Sequence, residues 1–207
     1  DITPDVIFMY YAGTGNGKIS DTAKFMTIES VGTTIEDEME YPSVTGIYDG
    51  YSQTFAMKDT LNTSGLRKGD IIRFGRGNDG RINAYEKVFD AKTKTLAYGS
   101  NPYDGNSGQG GGADFFVGLA TVWRINDGQM VVTYDDSYQS ETLPTGAKVW
   151  RIDSPPVYVY EINSRGEAVV TSAAVNDIVG YADSSEGASK ILISAHWFGI
   201  KEVYIIK

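Results

Sequence analysis

The sequence predicts an all-β protein built from two tandem small β-barrel or β-sandwich modules with few short helical turns. Three observations carry that expectation. Short runs of β-branched and aromatic residues recur between turn signals, as in Ile71-Ile72-Arg73-Phe74 and Val157-Tyr158-Val159-Tyr160. Asn78-Asp79-Gly80 and Asn126-Asp127-Gly128 fall between such runs, where Asp-Gly supplies the positive φ angles of a tight hairpin. Finally, 14 tyrosines and 24 glycines among 207 residues favour strands and turns over helices.

Taken in chain order, strands are expected over residues 6–11, 24–30 and 44–48, with a strand pair spanning 46–56. A hairpin follows, joining 71–74 to 81–88 across Gly77-Asn78-Asp79-Gly80. A second joins 121–125 to 130–134 across Asn126-Asp127-Gly128-Gln129, and a third joins 157–162 to 167–171 across Asn163-Ser164-Arg165-Gly166. Residues 190–195 and 202–206 make the final two strands, and 202–207 is a candidate edge strand, a template for pairing with another chain. Helical signal is confined to 60–66 and 173–179, both too short to stand alone.

Residues 98–112 are too rich in Gly, Asn and Ser to pack a core. The expected division is therefore a first module over 1–97, a linker or long loop over 98–113 and a second module over 114–207. The halves also look alike. Gly69-Asp70-Ile71-Ile72 with its closing strand Tyr85-Glu86-Lys87-Val88 corresponds to Asn176-Asp177-Ile178, the run 190–193 and the closing strand 201–205.

Composition narrows the function classes. A net charge of −9 removes the counterion-release attraction behind nucleic-acid binding and discourages docking on anionic lipid. The absence of cysteine excludes disulfides, thiolate metal sites and thiol nucleophiles. No apolar stretch approaches the roughly 20 residues that span a bilayer. A start at Asp1 suggests a processed or excised piece, with any signal or anchor outside it.

No catalytic constellation is legible, and the expectation is a protein that is not an enzyme. His196 is the only histidine, so a multi-histidine metal site is excluded and any Ser-His-Asp triad would depend on this residue. No Gly-x-Ser-x-Gly elbow accompanies it. The acids Glu36, Asp37, Glu38 and Glu40 read as a solvated loop, and Asp135-Asp136 as a turn, in preference to the paired acids of a glycosidase. Gly13-Thr14-Gly15-Asn16-Gly17-Lys18 lacks P-loop spacing, and Ile19 stands where Ser or Thr is needed. No cofactor is expected. Calcium is the most plausible inorganic partner of such acidic loops, but Gly77-Asn78-Asp79-Gly80 lacks the alternating ligands and terminal Glu of a calcium loop. The candidate ligand-binding residues are Trp123, Trp150 and Trp197, with Tyr51, Tyr134 and Tyr138 beside them, as a stacking platform for glycan. Core packing is the competing role, and Trp123 beside Arg124 reads as inward-facing.

At Leu66-Arg67-Lys68-Gly69-Asp70-Ile71-Ile72-Arg73-Phe74, Asp79-Gly80-Arg81-Ile82, Glu86-Lys87-Val88, Val157-Tyr158-Val159-Tyr160, Asn176-Asp177-Ile178, Ala188-Ser189-Lys190 and Val203-Tyr204-Ile205-Ile206, the chain resembles the β-rich C-terminal regions of S-layer-homology-domain surface proteins of Firmicutes. The likeness covers about two thirds of the chain, and its motifs are architectural, not catalytic. It implies a secreted protein at the cell surface, with anchoring repeats before Asp1 and no catalytic residues to carry over. The partners it implies are a cell-envelope polymer or other copies in a surface assembly. A polysaccharide-binding module and a phage or virion tail or decoration protein are the alternatives.

Overall fold

The computed structural model describes residues 25–97, 115–134, 140, 142–183, 187–196 and 199–207. The expected strand at 6–11, the whole segment 98–113 and Trp197 lie outside the described residues. Among the described residues the protein is all-β, with two 3-10 turns at Val175–Asp177 and Tyr181–Asp183 and no α-helix.

The first sheet contains β1 (Phe25–Glu36), β2 (Met39–Tyr48), β3 (Tyr51–Ala56), β4 (Ile71–Arg76), β5 (Ile82–Asp90) and β6 (Thr95–Leu96), in the order β3-β2-β1-β4-β5-β6. The second contains β7 (Phe115–Asn126), β8 (Gln129–Thr133), β9 (Lys148–Arg151), β10 (Val157–Ile162), β11 (Ala168–Ala173), β12 (Lys190–His196) and β13 (Gly199–Ile206), in the order β11-β10-β13-β12-β7-β8-β9. Every neighbouring pair is antiparallel except β10 and β13. Neither sheet closes into a barrel.

Local chemistry fixes the hairpins. Asp37-Glu38, Asp49-Gly50 and Asp127-Gly128 each hold two successive positive φ angles between strands that pair up to the turn, the geometry whose twist matches a two-residue hairpin. In the β4–β5 turn, the Asp79 Oδ1 carboxylate oxygen accepts the Arg81 N–H at 3.1 Å and Gly80 N–H donates to the Gly77 carbonyl at 3.0 Å. In the β10–β11 turn, Asn163 Oδ1 accepts from both Arg165 N–H and Glu167 N–H at 2.9 Å.

Strand alternation sends successive side chains to opposite faces, and in strands such as β4 and β13 both faces are buried. One core of the first sheet gathers Met26, Ile28, Val44, Met57, Leu66, Ile72, Phe74 and Ile82. Residues of the second sheet form its own core around Val122, Met130, Val132, Val157, Ile191, Ile193, Val203 and Ile205. Between the sheets lies a third cluster drawn from both: Phe25, Ile71, Val88, Phe89 and Leu96 from one, Val117, Tyr158, Tyr160, Leu192, Tyr204 and Ile206 from the other. Consecutive residues therefore serve different layers. Ile71 enters the shared layer and Ile72 the first sheet's own core, while Tyr204 enters the shared layer and Val203 and Ile205 the second sheet's core.

The two sheets follow one path. In each, a three-strand meander (β1-β2-β3 or β7-β8-β9) pairs its first strand with the first member of a later hairpin (β4-β5 or β12-β13). The residue after the third strand then folds back toward the second: Met57 N–H donates to Pro42 O of β2 at 2.7 Å, and Ile152 N–H donates at 2.8 Å to the carbonyl of Gly128, in the turn that leads into β8. That residue also meets the start of the fifth strand, since Met57 bridges Ile82 in parallel. At the corresponding place in the second sheet, a Cβ added to Gly199 would lie 2.8 Å from the Arg151 carbonyl oxygen. Both first strands carry a bulge at one position, between Ile28 and Ser30 and between Val122 and Arg124. Just before it, Ile28 N–H donates to Asp70 O and Val122 N–H donates to Ser189 O. The hairpin β10-β11 is an insertion of the second sheet, placed between the third and fourth strands of this shared path.

Two expectations need correction. Residues 202–207 do not form an edge strand, because β13 lies between β10 and β12, and the edges are β3, β6, β9 and β11. The acids from Glu36 to Glu40 are no loop: strands run through Glu36 and from Met39, and only Asp37-Glu38 turns, because each accepts a positive φ. Residues 60–66 make the short turns expected of them, held by Leu61 N–H to Lys58 O and Leu66 N–H to Thr63 O.

Candidate functional site

The buried charges are the natural place to look for chemistry. Asp70 is fully buried, and its carboxylate accepts from Arg67 N–H at 3.0 Å, Ala91 N–H at 3.1 Å and Lys87 Nζ at 3.1 Å. Lys87 Nζ also donates to Gly65 O at 3.1 Å and to Asp90 Oδ2 at 3.0 Å. Burial pulls the Lys87 ammonium down, but the bonds to Asp90 and Asp70 outweigh it, and the group is held above its ordinary value. The Lys87 bond holds the Asp90 carboxyl below its ordinary value against the opposing effect of burial. An ammonium that keeps its proton and carboxylates already filled with donors are poor bases and nucleophiles. The cluster clamps the chain entering β4 to the end of β5. Arg73 and Glu86, both nearly buried, pair at 2.5 Å across β4 and β5 and tie the same hairpin.

A second group of polar contacts crosses between the sheets. Tyr160 Oη donates to the Gly69 carbonyl at 2.9 Å, and its ring meets Phe89 edge-on at a centroid distance of 5.5 Å. Phe25 N–H donates to the buried Glu202 Oε2 at 2.8 Å, and the Phe25 and Tyr204 rings lie 5.8 Å apart. Lys68 Nζ pairs with Glu167 at 3.2 Å on the exposed rim. Burial, aided by Asp70 and Asp90, pushes the Tyr160 hydroxyl well above its ordinary range. Burial and the neighbouring Glu202 do the same to Tyr204. Gly69 sits at φ +90°, and a Cβ there would stand 2.9 Å from Ala91 Cβ and 3.1 Å from Tyr160 Oη, so glycine is required where the units touch. These interface residues escaped the sequence reading, which set Gly69-Asp70 just before the strand at 71–74 and Tyr160 in a strand without joining them.

The tryptophans are placed apart in role. Trp123 occupies the β7 bulge, half-buried, with Nε1 donating to Ser140 O at 3.3 Å and the Arg124 guanidinium 4.8 Å from its ring centre. Trp150 lies on β9 opposite Met130, packs on the second sheet's core and donates from Nε1 to Tyr134 Oη at 3.3 Å. Tyr51 is 74% exposed on the first sheet. His196 ends β12 beside Phe115 of β7, and its side chain, like Tyr138 and Asp135-Asp136, is outside the described residues.

Among the described residues, no three His, Cys, Asp or Glu side chains gather as a metal site, and no helix is long and apolar enough to cross a membrane. In the Gly77–Gly80 turn the Asp79 carboxylate is engaged by Arg81, through the N–H to Oδ1 and Nη1 at 3.6 Å from Oδ2. No family model, no curated protein and no solved structure matches the chain.

Proposed function

We propose that this chain is a noncatalytic structural or interaction segment of a bacterial cell-surface or extracellular assembly. The observation that carries the reading is the aromatic layer shared by the two sheets, with Tyr160 and Glu202 hydrogen-bonded across it. Such a joint sets two similar units in one fixed relation, which suits a spacer or lattice component that must hold its geometry under load. The ion pairs of Lys87 with Asp70 and Asp90 serve the same end. Antibody raised against the chain should label intact producing cells at the envelope. Label confined to the cell interior, or a hydrolytic activity abolished by His196→Ala, would defeat the proposal.

A polysaccharide-binding role is the second reading, and the strand path favours it. A meander whose third strand folds back toward the fifth is the connectivity of the partly open five-stranded barrels that bind oligosaccharides or oligonucleotides, an analogy of fold alone. The net charge of −9 turns that analogy toward sugars. Binding to wall polymers that falls on Trp123→Ala or Trp150→Ala would support it, and silence across a glycan array would remove it.

A further inference from the structure

We infer that the outer edge of β1 over Val31–Ile35, beside which no described strand lies, receives an extended basic segment of a partner protein as an added strand. The equivalence of the two sheets isolates the feature. Beyond the bulge, β1 runs from Ser30 to Glu36 before its turn, whereas β7 runs only from Arg124 to Asn126, so the first hairpin is four residues longer on each strand. The shared path does not need this extension. Pairing of β1 with β4 covers only Phe25 to Thr27, with Ile28 bonded to Gly69 and Asp70, and among the described residues no strand lies beside β1 beyond that point.

Register tells which backbone groups are exposed there. In a two-residue hairpin the residues flanking the turn, Glu36 and Met39, bond to each other, so Glu36, Thr34 and Gly32 bond inward to β2. Val31, Thr33 and Ile35 therefore turn their N–H and C=O groups outward, and Ile35 is 76% exposed. The opposite edge of the arm is blunted by Pro42, which has no N–H and whose carbonyl accepts from Met57. The β1 edge over these residues carries neither Pro nor Lys, the usual protections of an exposed edge.

Charge selects the occupant. From Glu29 to Glu40 the chain holds Glu29, Glu36, Asp37, Glu38 and Glu40 and no basic residue; Glu36 is already paired with Arg81 at 3.0 Å and Glu29 accepts from the Ser52 hydroxyl, so Asp37, Glu38 and Glu40 at the tip are the acids offered to a partner. A second copy pairing antiparallel about Thr33 would set the acidic tip of one arm against Glu29 of the other, which like charges oppose. An added strand alternating apolar and basic side chains would instead cover Val31 and Ile35 while meeting those acids. This inference supplies the partner for the interaction role proposed above and rests on it; a chain found on the envelope but blind to the peptide below would sink the arm's part alone.

The test is calorimetric titration of the full chain with a synthetic peptide alternating lysine and valine, beside its glutamate counterpart, with amide exchange followed by NMR. The lysine peptide should bind and slow exchange at Val31, Thr33 and Ile35, and the glutamate peptide should not. Thr33→Pro removes an outward N–H without touching the inward ladder and should weaken binding about tenfold or more. Glu38→Lys with Glu40→Lys leaves the backbone edge intact and should abolish the preference for lysine. No binding, equal binding of both peptides, binding indifferent to both variants, or a dimer in sedimentation that Thr33→Pro dissolves would each overturn the inference.

Discussion

Replacing Tyr160 by Phe removes one oxygen from the layer between the sheets and leaves the ring that meets Phe89 edge-on in place. The lost bond is the 2.9 Å contact from Tyr160 Oη to the Gly69 carbonyl, in a position where both groups are shielded from water. A buried acceptor left without its donor costs about 1–3 kcal/mol, and the closeness of Gly69 to Ala91 leaves little room for a replacing water. The expected loss is about 1–2 kcal/mol, which in a cooperative unit of this size lowers Tm by roughly 2–8 °C. Urea titration followed by tryptophan fluorescence gives the free energy, and a thermal melt by circular dichroism gives Tm. A Tyr160→Phe protein as stable as its parent, beside a Tyr160→Ala protein that is also unperturbed, would refute the claim that this layer is a packed core.

Other outcomes follow from the same contacts. Asp70→Asn breaks the buried pairing with Lys87 while keeping the shape, and should cost about 3 kcal/mol, read as a lowered urea midpoint. Removing residues 203–207 takes Val203, Tyr204, Ile205 and Ile206 from two cores at once, so the truncated chain should lack a cooperative melt; unchanged melting would count against the placement of β13. Asp90 and Glu167 are held below their ordinary values of 3.8 and 4.5, so their contribution is present above those values and is lost as pH falls through the lowered ones. Tyr160 and Tyr204 are held above 10.0, so their contribution is present below that value and is lost as pH rises past it. Stability against urea should therefore fall at both extremes, and a Tyr160→Phe protein should lose less than its parent above pH 10.0.

The hairpins were legible because their signals are local. Asp79-Gly80 and Asp127-Gly128 name their own turns, and the strands on either side need only alternate. The Asp37-Glu38 turn was missed because two acids in a row look like solvated loop, and nothing nearby announces a positive φ without glycine. The central place of β13 was illegible for a different reason. Its parallel partner β10 lies more than forty residues earlier, and alternation reports which face a residue occupies, never which strand lies beside it. The shared layer did leave a trace: Ile71-Ile72, Ile191-Leu192-Ile193 and Val203-Tyr204-Ile205-Ile206 are unbroken apolar runs, and a strand buried on both faces needs two cores. The candidate platform was only partly readable, since Trp123 sits on a bulge that breaks the alternation used to judge its direction.

Scanning calorimetry of the intact chain tests most directly whether the aromatic layer joins the two sheets into one cooperative body. One transition, with equal van't Hoff and calorimetric enthalpies, is expected. Two resolved transitions, only one of which moves when Tyr160 is changed, would mean that the sheets touch without being joined.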